Sequence, residues 1–165
     1  MSRPAFDCSA TLSPCRTYRY SLWRHWGFGP YAMFIGLNPS TADETNDDPT
    51  IRRCVAFAQA WGYEALCMTN LFAFRATQPA DMKKDIEPIG TYNDHTLLTL
   101  ARDAGIVVAA WGTHGTHLGR DAHVRGMLPG LLYLRLTKDG HPCHPLYLPA
   151  SLRPAPWLNP GESDL

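Results

Sequence analysis

The sequence has no apolar run approaching the roughly 20 residues that a membrane-spanning helix needs. Its N-terminus also lacks the apolar stretch of a secretory signal. No membrane association is expected. Charge of either sign is not in excess: fifteen basic residues face fifteen acidic ones, so no global field draws the chain toward nucleic acid or an anionic surface. The five cysteines, Cys8, Cys15, Cys54, Cys67 and Cys143, are an odd, scattered set without a C-x-x-C pair. That pattern predicts a reduced, cytoplasmic protein rather than a disulfide framework. There is no Walker A loop, no G-x-S-x-G elbow and no G-x-G-x-x-G fingerprint, so NTPase, α/β-hydrolase and dinucleotide chemistries start low. His114, His117 and His123 lack the cysteine or acidic partners of a zinc site. Four cysteines at cluster spacing are also missing. No metal and no cofactor are expected.

What remains is an ordinary globular composition, 165 residues with 45% hydrophobic content. It suits one domain, placed at residues 1–148, and a monomer. From residue 149 to 165 the chain is dense in proline and ends in polar residues, which predicts an extended or disordered tail. Twelve of the fifteen basic residues are arginine, which favours planar contacts with phosphate or carboxylate.

The run from Met33 to Cys54 reads as a buried strand, a polar loop and a helix start. Strands are predicted at Arg16–Trp23, where aromatic and polar residues alternate as at a sheet edge, and at the apolar runs Ala32–Leu37, Ala65–Thr69, Ile106–Trp111 and Leu131–Leu136. Helices are predicted from Pro49, with Asp48 as N-cap and Gly62 as the stop, from Thr91 to Ala104, and through Val124. Strands alternating with helices predict a three-layer α/β/α sandwich around a mainly parallel sheet of about four strands. The loops leaving the parallel strands then share one edge and line one cleft. They carry Asn38, Asn70, Gly112 and the two His-Pro pairs at His141 and His144.

The order GLNPS, DPTIRRC, TNLFAFRAT, AWGTHG and HPLYL resembles the bacterial and phage family called domain of unknown function 1643, over roughly Cys15 to Leu148. More remotely, the same order of elements is similar to the uracil-DNA glycosylase superfamily. Its mismatch-specific members carry a G-I-N-P-G loop after the first core strand and a His-Pro loop after the last. The resemblance implies a uracil-DNA-glycosylase-like fold and an enzyme that hydrolyses a nucleobase N-glycosidic bond in DNA. It maps the first loop onto Gly36, Leu37, Asn38, Pro39 and Ser40, with Ser40 departing from glycine. Asn38 would position the attacking water. The second loop maps onto His144, Pro145, Leu146, Tyr147 and Leu148, where His144 would stabilise the departing base and Leu146 or Tyr147 would wedge into the duplex.

Among the acids Asp43, Glu44, Asp47 and Asp48, either Asp43 or Asp48 is the candidate general base, the others reading as solvated loop or cap. Asn70, Phe74, Trp111 and Arg75 are candidate base contacts, core packing being the alternative for the aromatics. Arg52 and Arg53 lie in a helix's first turn, where they oppose the macrodipole. A bound phosphate or salt bridges to Asp47 or Glu44 would compensate them. Two other readings stay open: an enzyme acting on a free nucleotide or nucleoside, and a non-catalytic nucleotide or nucleic-acid binder.

Overall fold

The computed structural model describes residues 3–158. Its centre is β3 (Tyr31–Gly36), whose unbroken apolar run is buried on both faces, and β4 (Ala65–Asn70), in which every residue is buried. Such runs suit strands covered above and below. With β1 (Asp7–Leu12), β2 (Arg19–His25), β5 (Ile106–Ala109), β6 (Leu132–Tyr133) and β7 (Ala155–Pro156) they form a seven-stranded sheet in the order β1-β2-β4-β3-β5-β6-β7. The four contiguous strands β4, β3, β5 and β6 are parallel, while β2 runs antiparallel to β4, β1 to β2, and β7 to β6.

The class is therefore α/β, but the sheet is mixed and has seven strands, not about four. The added strands lie at the edges, where pairing rather than apolar patterning defines them. β1 is largely exposed and β7 is two residues long. The segment expected at a sheet edge is not there: β2 begins at Arg19 and sits between β1 and β4. Residues 149–158, expected as part of a tail, contain β7 and place Trp157 against Trp111 at 5.6 Å between ring centroids. Residues 159–165 of that tail lie outside the described residues.

Alternation along β3 divides the core. Phe34 joins Leu22, Leu66, Met68 and Val108 beneath α1 (Pro49–Ala60), which contributes Ile51, Cys54, Phe57 and Ala58. Met33 and Ile35 point to the opposite face, with Cys67 and Ala109. There they meet Met82 of α2 (Pro79–Lys84), Leu97 of α3 (Asn93–Asp103) and Val124 of α4 (Arg120–Met127). Helices thus cover both faces, as the period-2 geometry of strands allows.

Local chemistry starts and stops α1 as expected. The Asp48 carboxylate accepts from the Ile51 N–H at 2.8 Å, Pro49 occupies the first turn, and Gly62 follows at φ +87°. Asp48→Ala should cost about 1 kcal/mol, read as a lower urea midpoint at unchanged slope. No loss of stability would mean that another group caps the helix.

The strand order has a functional corollary. β3 passes through α1 to β4 on one side, and the chain then crosses to β5 on the other side of β3. The loops leaving β3 and β5 therefore diverge, opening a crevice at their carboxyl ends.

Candidate functional site

A pocket of about 390 Å³ occupies that crevice, within the roughly 300–1,000 Å³ of small-molecule sites. Its walls come from four stretches distant in sequence: the end of β3 and its loop (Gly36 to Thr41), the start of α1 (Asp48 to Ile51), the end of β4 and its loop (Met68, Asn70, Ala76), and His144 to Leu146. Arg19 at the start of β2, Ala110 after β5, and Thr77 and Pro79 beyond Ala76 complete it.

Gly36 lets two side chains close in on the strand end: a Cβ there would stand 2.8 Å from Asn70 Oδ1 and 2.9 Å from Met68 Cε and would displace them. Asn38 follows on the loop. Its Nδ2 donates to the Ala76 carbonyl at 2.8 Å and to the Pro39 carbonyl at 3.1 Å. Two carbonyl partners fix which end of the amide is nitrogen. Among the described residues no donor occupies the acceptor Oδ1, which belongs to a residue lining the pocket.

His144 stands at the mouth on the N-terminal side of a short 3-10 turn, Pro145–Tyr147. Its Nδ1 accepts from the Leu146 N–H at 3.2 Å, so the neutral ring carries its proton on Nε2, 3.5 Å from Thr50 Oγ1. Desolvation pushes its pKa below the ordinary imidazole value, with Asp48 pulling weakly the other way. A neutral ring donating from Nε2 is the dominant form near pH 7. Asp48 spends one carboxylate oxygen on the helix cap and presents the other as an acceptor.

The remaining expected residues separate clearly. Pro39, Ser40, Asn70 and Leu146 line the pocket, and Tyr147, 89% exposed, projects beside its mouth without lining it. Of the two His-Pro histidines, His144 lies at the pocket, whereas His141 sits in the preceding turn with its N–H bonded to Thr137 Oγ1. Asp43 does not reach the pocket. Its carboxylate accepts from the Thr45 and Asn46 N–H groups, which hold its pKa down to about 2. That is the chemistry of a turn brace, not of a poised base.

Phe74 and Arg75 line a shallower neighbouring recess with Arg16 and Thr17. There the Arg75 guanidinium clamps the carbonyls of Ser40, Arg16 and Thr41. Trp111 is 2% exposed in the core cluster opposite α1, away from the pocket. The Arg53 guanidinium bonds the Leu148 carbonyl and lies 5.0 Å from the Phe57 ring centroid, and Arg53 is not among the residues lining the pocket. Arg52 is exposed. Neither pairs with Asp47 or Glu44, which bind Arg24 and Arg16 instead.

Sequence reasoning missed Arg19, whose residue is only 2% exposed and which lines the pocket. Burial pulls its pKa down to about 10, leaving it cationic at neutral pH. Thr50 was missed as well, though it lies one residue past the expected proline. The signal for Arg19 is an arginine flanked by tyrosines in a segment where aromatic and polar residues alternate.

The arrangement defines an α/β protein with a pocket at the switch point of its sheet, combining a buried cation, a carboxylate, a neutral imidazole and two carboxamides. Within that class, the chain belongs to the family described as protein of unknown function (DUF1643), which matches residues 19–146. Every pocket residue named above falls inside the match. No curated protein and no solved structure matches the chain.

Proposed function

We propose that this pocket hydrolyses the N-glycosidic bond of a nucleotide unit, releasing the base. The observation that carries the reading is that Asn38 and His144 line the same crevice. Asn38 presents an acceptor oxygen held by two carbonyl contacts, and His144 presents an Nε2–H held by the Leu146 N–H. Both groups are oriented before any substrate arrives, which is how dipoles stabilise developing charge without reorganisation. The similarity of the GLNPS and HPLYL loops to those of mismatch-specific uracil-DNA glycosylases supports the same assignment.

In this reading Asn38 Oδ1 and the free oxygen of Asp48 hold a water against the anomeric carbon. As the C–N bond breaks, its electron pair leaves with the base, the water oxygen bonds to the sugar carbon, and Asp48 receives the water's proton. His144 Nε2–H donates to the base as negative charge develops there. Tyr147 and Leu146 at the rim match the bulk of an apolar wedge, which favours a nucleotide turned out of a DNA strand as substrate.

The test is base release from oligonucleotides carrying uracil, mismatched thymine or modified pyrimidines, run beside the corresponding free nucleosides and nucleotides. Release by the wild-type protein and a loss of about 10²-fold or more in His144→Ala is expected. Binding without release from any of these substrates would replace the reading with that of a nucleotide or nucleic-acid binder.

A further inference from the structure

Three arginines are almost wholly buried among the described residues, and their surroundings differ. Arg24 donates from Nε to Asp47 at 2.8 Å and from its other nitrogens to the carbonyls of Trp23, Asp43 and Asn46. Arg120 pairs with Asp94 at 2.8 Å and donates twice to the Leu71 carbonyl. Arg19 has no carboxylate within ion-pair distance among the described residues, Asp48 acting on it only from farther away. Its guanidinium makes one hydrogen bond, from Nη1 to the Ala42 carbonyl at 2.9 Å, and its Nε–H is buried without a partner.

An uncompensated buried cation is costly, and folded proteins pair such groups or bind a counter-charge to them. Arg19 differs from the other two in lining the pocket. A second pocket residue repeats the pattern: Asn70, 2% exposed, has a buried Nδ2 with no acceptor. The Arg19 Nε–H and the Asn70 amide thus go without partners although the free oxygens of Asn38 and Asp48 line the same pocket, and the Asp48 charge reaches Arg19 without pairing with it.

We propose that the ligand of this pocket carries a compact anionic oxygen group, a carboxylate or a phosphate, and that Arg19 is its seat. The inference rests on the same pocket as the glycosidic reading and names what the substrate must contain besides the bond that is cut. Arginine's planar fork offers paired N–H groups to such an anion, and Nε is the one already stripped of water. The charged group can belong to the base, as a ring carboxylate, or to a free nucleotide, as its 5′-phosphate. An unmodified base extruded from DNA brings no such charge into the pocket.

Anion binding can be read without turnover, so its failure is distinguishable from failure of the glycosidic reading. Thermal midpoints would be measured at fixed ionic strength with inorganic phosphate, acetate, a nucleoside and its 5′-monophosphate, each compared with chloride. A ligand that binds only the folded state raises the midpoint with concentration. The expected result is a rise with phosphate and the monophosphate, or with acetate and a base carboxylate such as orotate. The nucleoside should bind about tenfold to a hundredfold more weakly than its charged counterpart.

Arg19→Met should abolish the rise while holding its own midpoint in chloride, since it removes an unpaired buried charge. Arg102→Met on α3 should retain the rise. Arg19→Lys, which keeps the charge but loses the Nε–H, covers the case in which the methionine variant fails to fold, and should weaken the rise. Wild-type midpoints that respond to none of these anions, or a rise that survives in Arg19→Met, would overturn the proposal.

Discussion

Asn38→Ala is expected to lower the rate of base release by about 10²–10³-fold while leaving KM within a few-fold of its original value, because it removes the acceptor that orients the water. The same substitution deletes two hydrogen bonds to the Ala76 and Pro39 carbonyls. A loss of about 1–3 kcal/mol in stability should accompany it. The two roles separate in the kinetics. A residue that only braced the loop would reduce the folded fraction, yet saturating substrate would restore most of kcat per folded molecule. Asn38→Asp sharpens the contrast, because it keeps an acceptor but places an anion against the two carbonyls that Nδ2 now serves. It should therefore lose more stability than alanine does. Full kcat in the folded Asn38→Ala protein would remove Asn38 from the chemistry.

The largest effect on stability is expected at Arg24→Ala. This side chain reaches from β2 into the loop between β3 and α1, where it binds the Asp47 carboxylate and the carbonyls of Asp43 and Asn46. Its removal strands those carbonyls and opens a void beneath the loop, at a cost of about 3 kcal/mol or more. Asp47→Asn should cost under about 1 kcal/mol, because that carboxylate is partly exposed and its pairing is screened. Urea unfolding of the two variants checks the asymmetry. Equal small losses would show that the loop is held by other contacts. The loop carries Asn38 at one end and Asp48 at the other, so activity should fall with Arg24→Ala even at temperatures where the protein stays folded.

Several elements are legible from residue order because their determinants are local. The apolar run of β3, the Asp48-Pro49 start of α1 and the glycine after Trp61 each encode their structure within a few residues. β1 is not legible in this way. Its residues are largely exposed and become a strand by pairing with β2, from Asp7 opposite His25 to Leu12 opposite Arg19. The run at 131–136 reads as a full strand, yet only Leu132 and Tyr133 pair, and Leu136 instead bridges to Pro142.

The site divides on the same principle. Asn38, Asp48 and His144 follow from motifs at strand ends and a helix start. Arg19 depends on β2 folding back against β4, a tertiary event with no local mark. Trp111 stands near the expected edge but turns into the core, where Gly115 approaches its ring so closely that a Cβ would lie 2.3 Å from Cδ1. Nothing within the AWGTHG stretch distinguishes that packing from a stacking platform.

The short β7 has a consequence for how the protein behaves in a crowded solution. β6 would otherwise offer a row of unpaired N–H and carbonyl groups, the kind of template on which sheets of separate molecules join. β7 caps it with a residue that cannot extend the ladder, since Pro156 has no N–H to offer a further strand. Trp157 fastens this cap: its N–H bonds the Leu131 carbonyl, and its ring packs against Trp111 and beneath the Arg125 guanidinium, 3.7 Å from the centroid. The cap lies beyond residue 146, where the family match ends. This edge of the sheet is therefore covered by a stretch of chain that takes no part in the pocket.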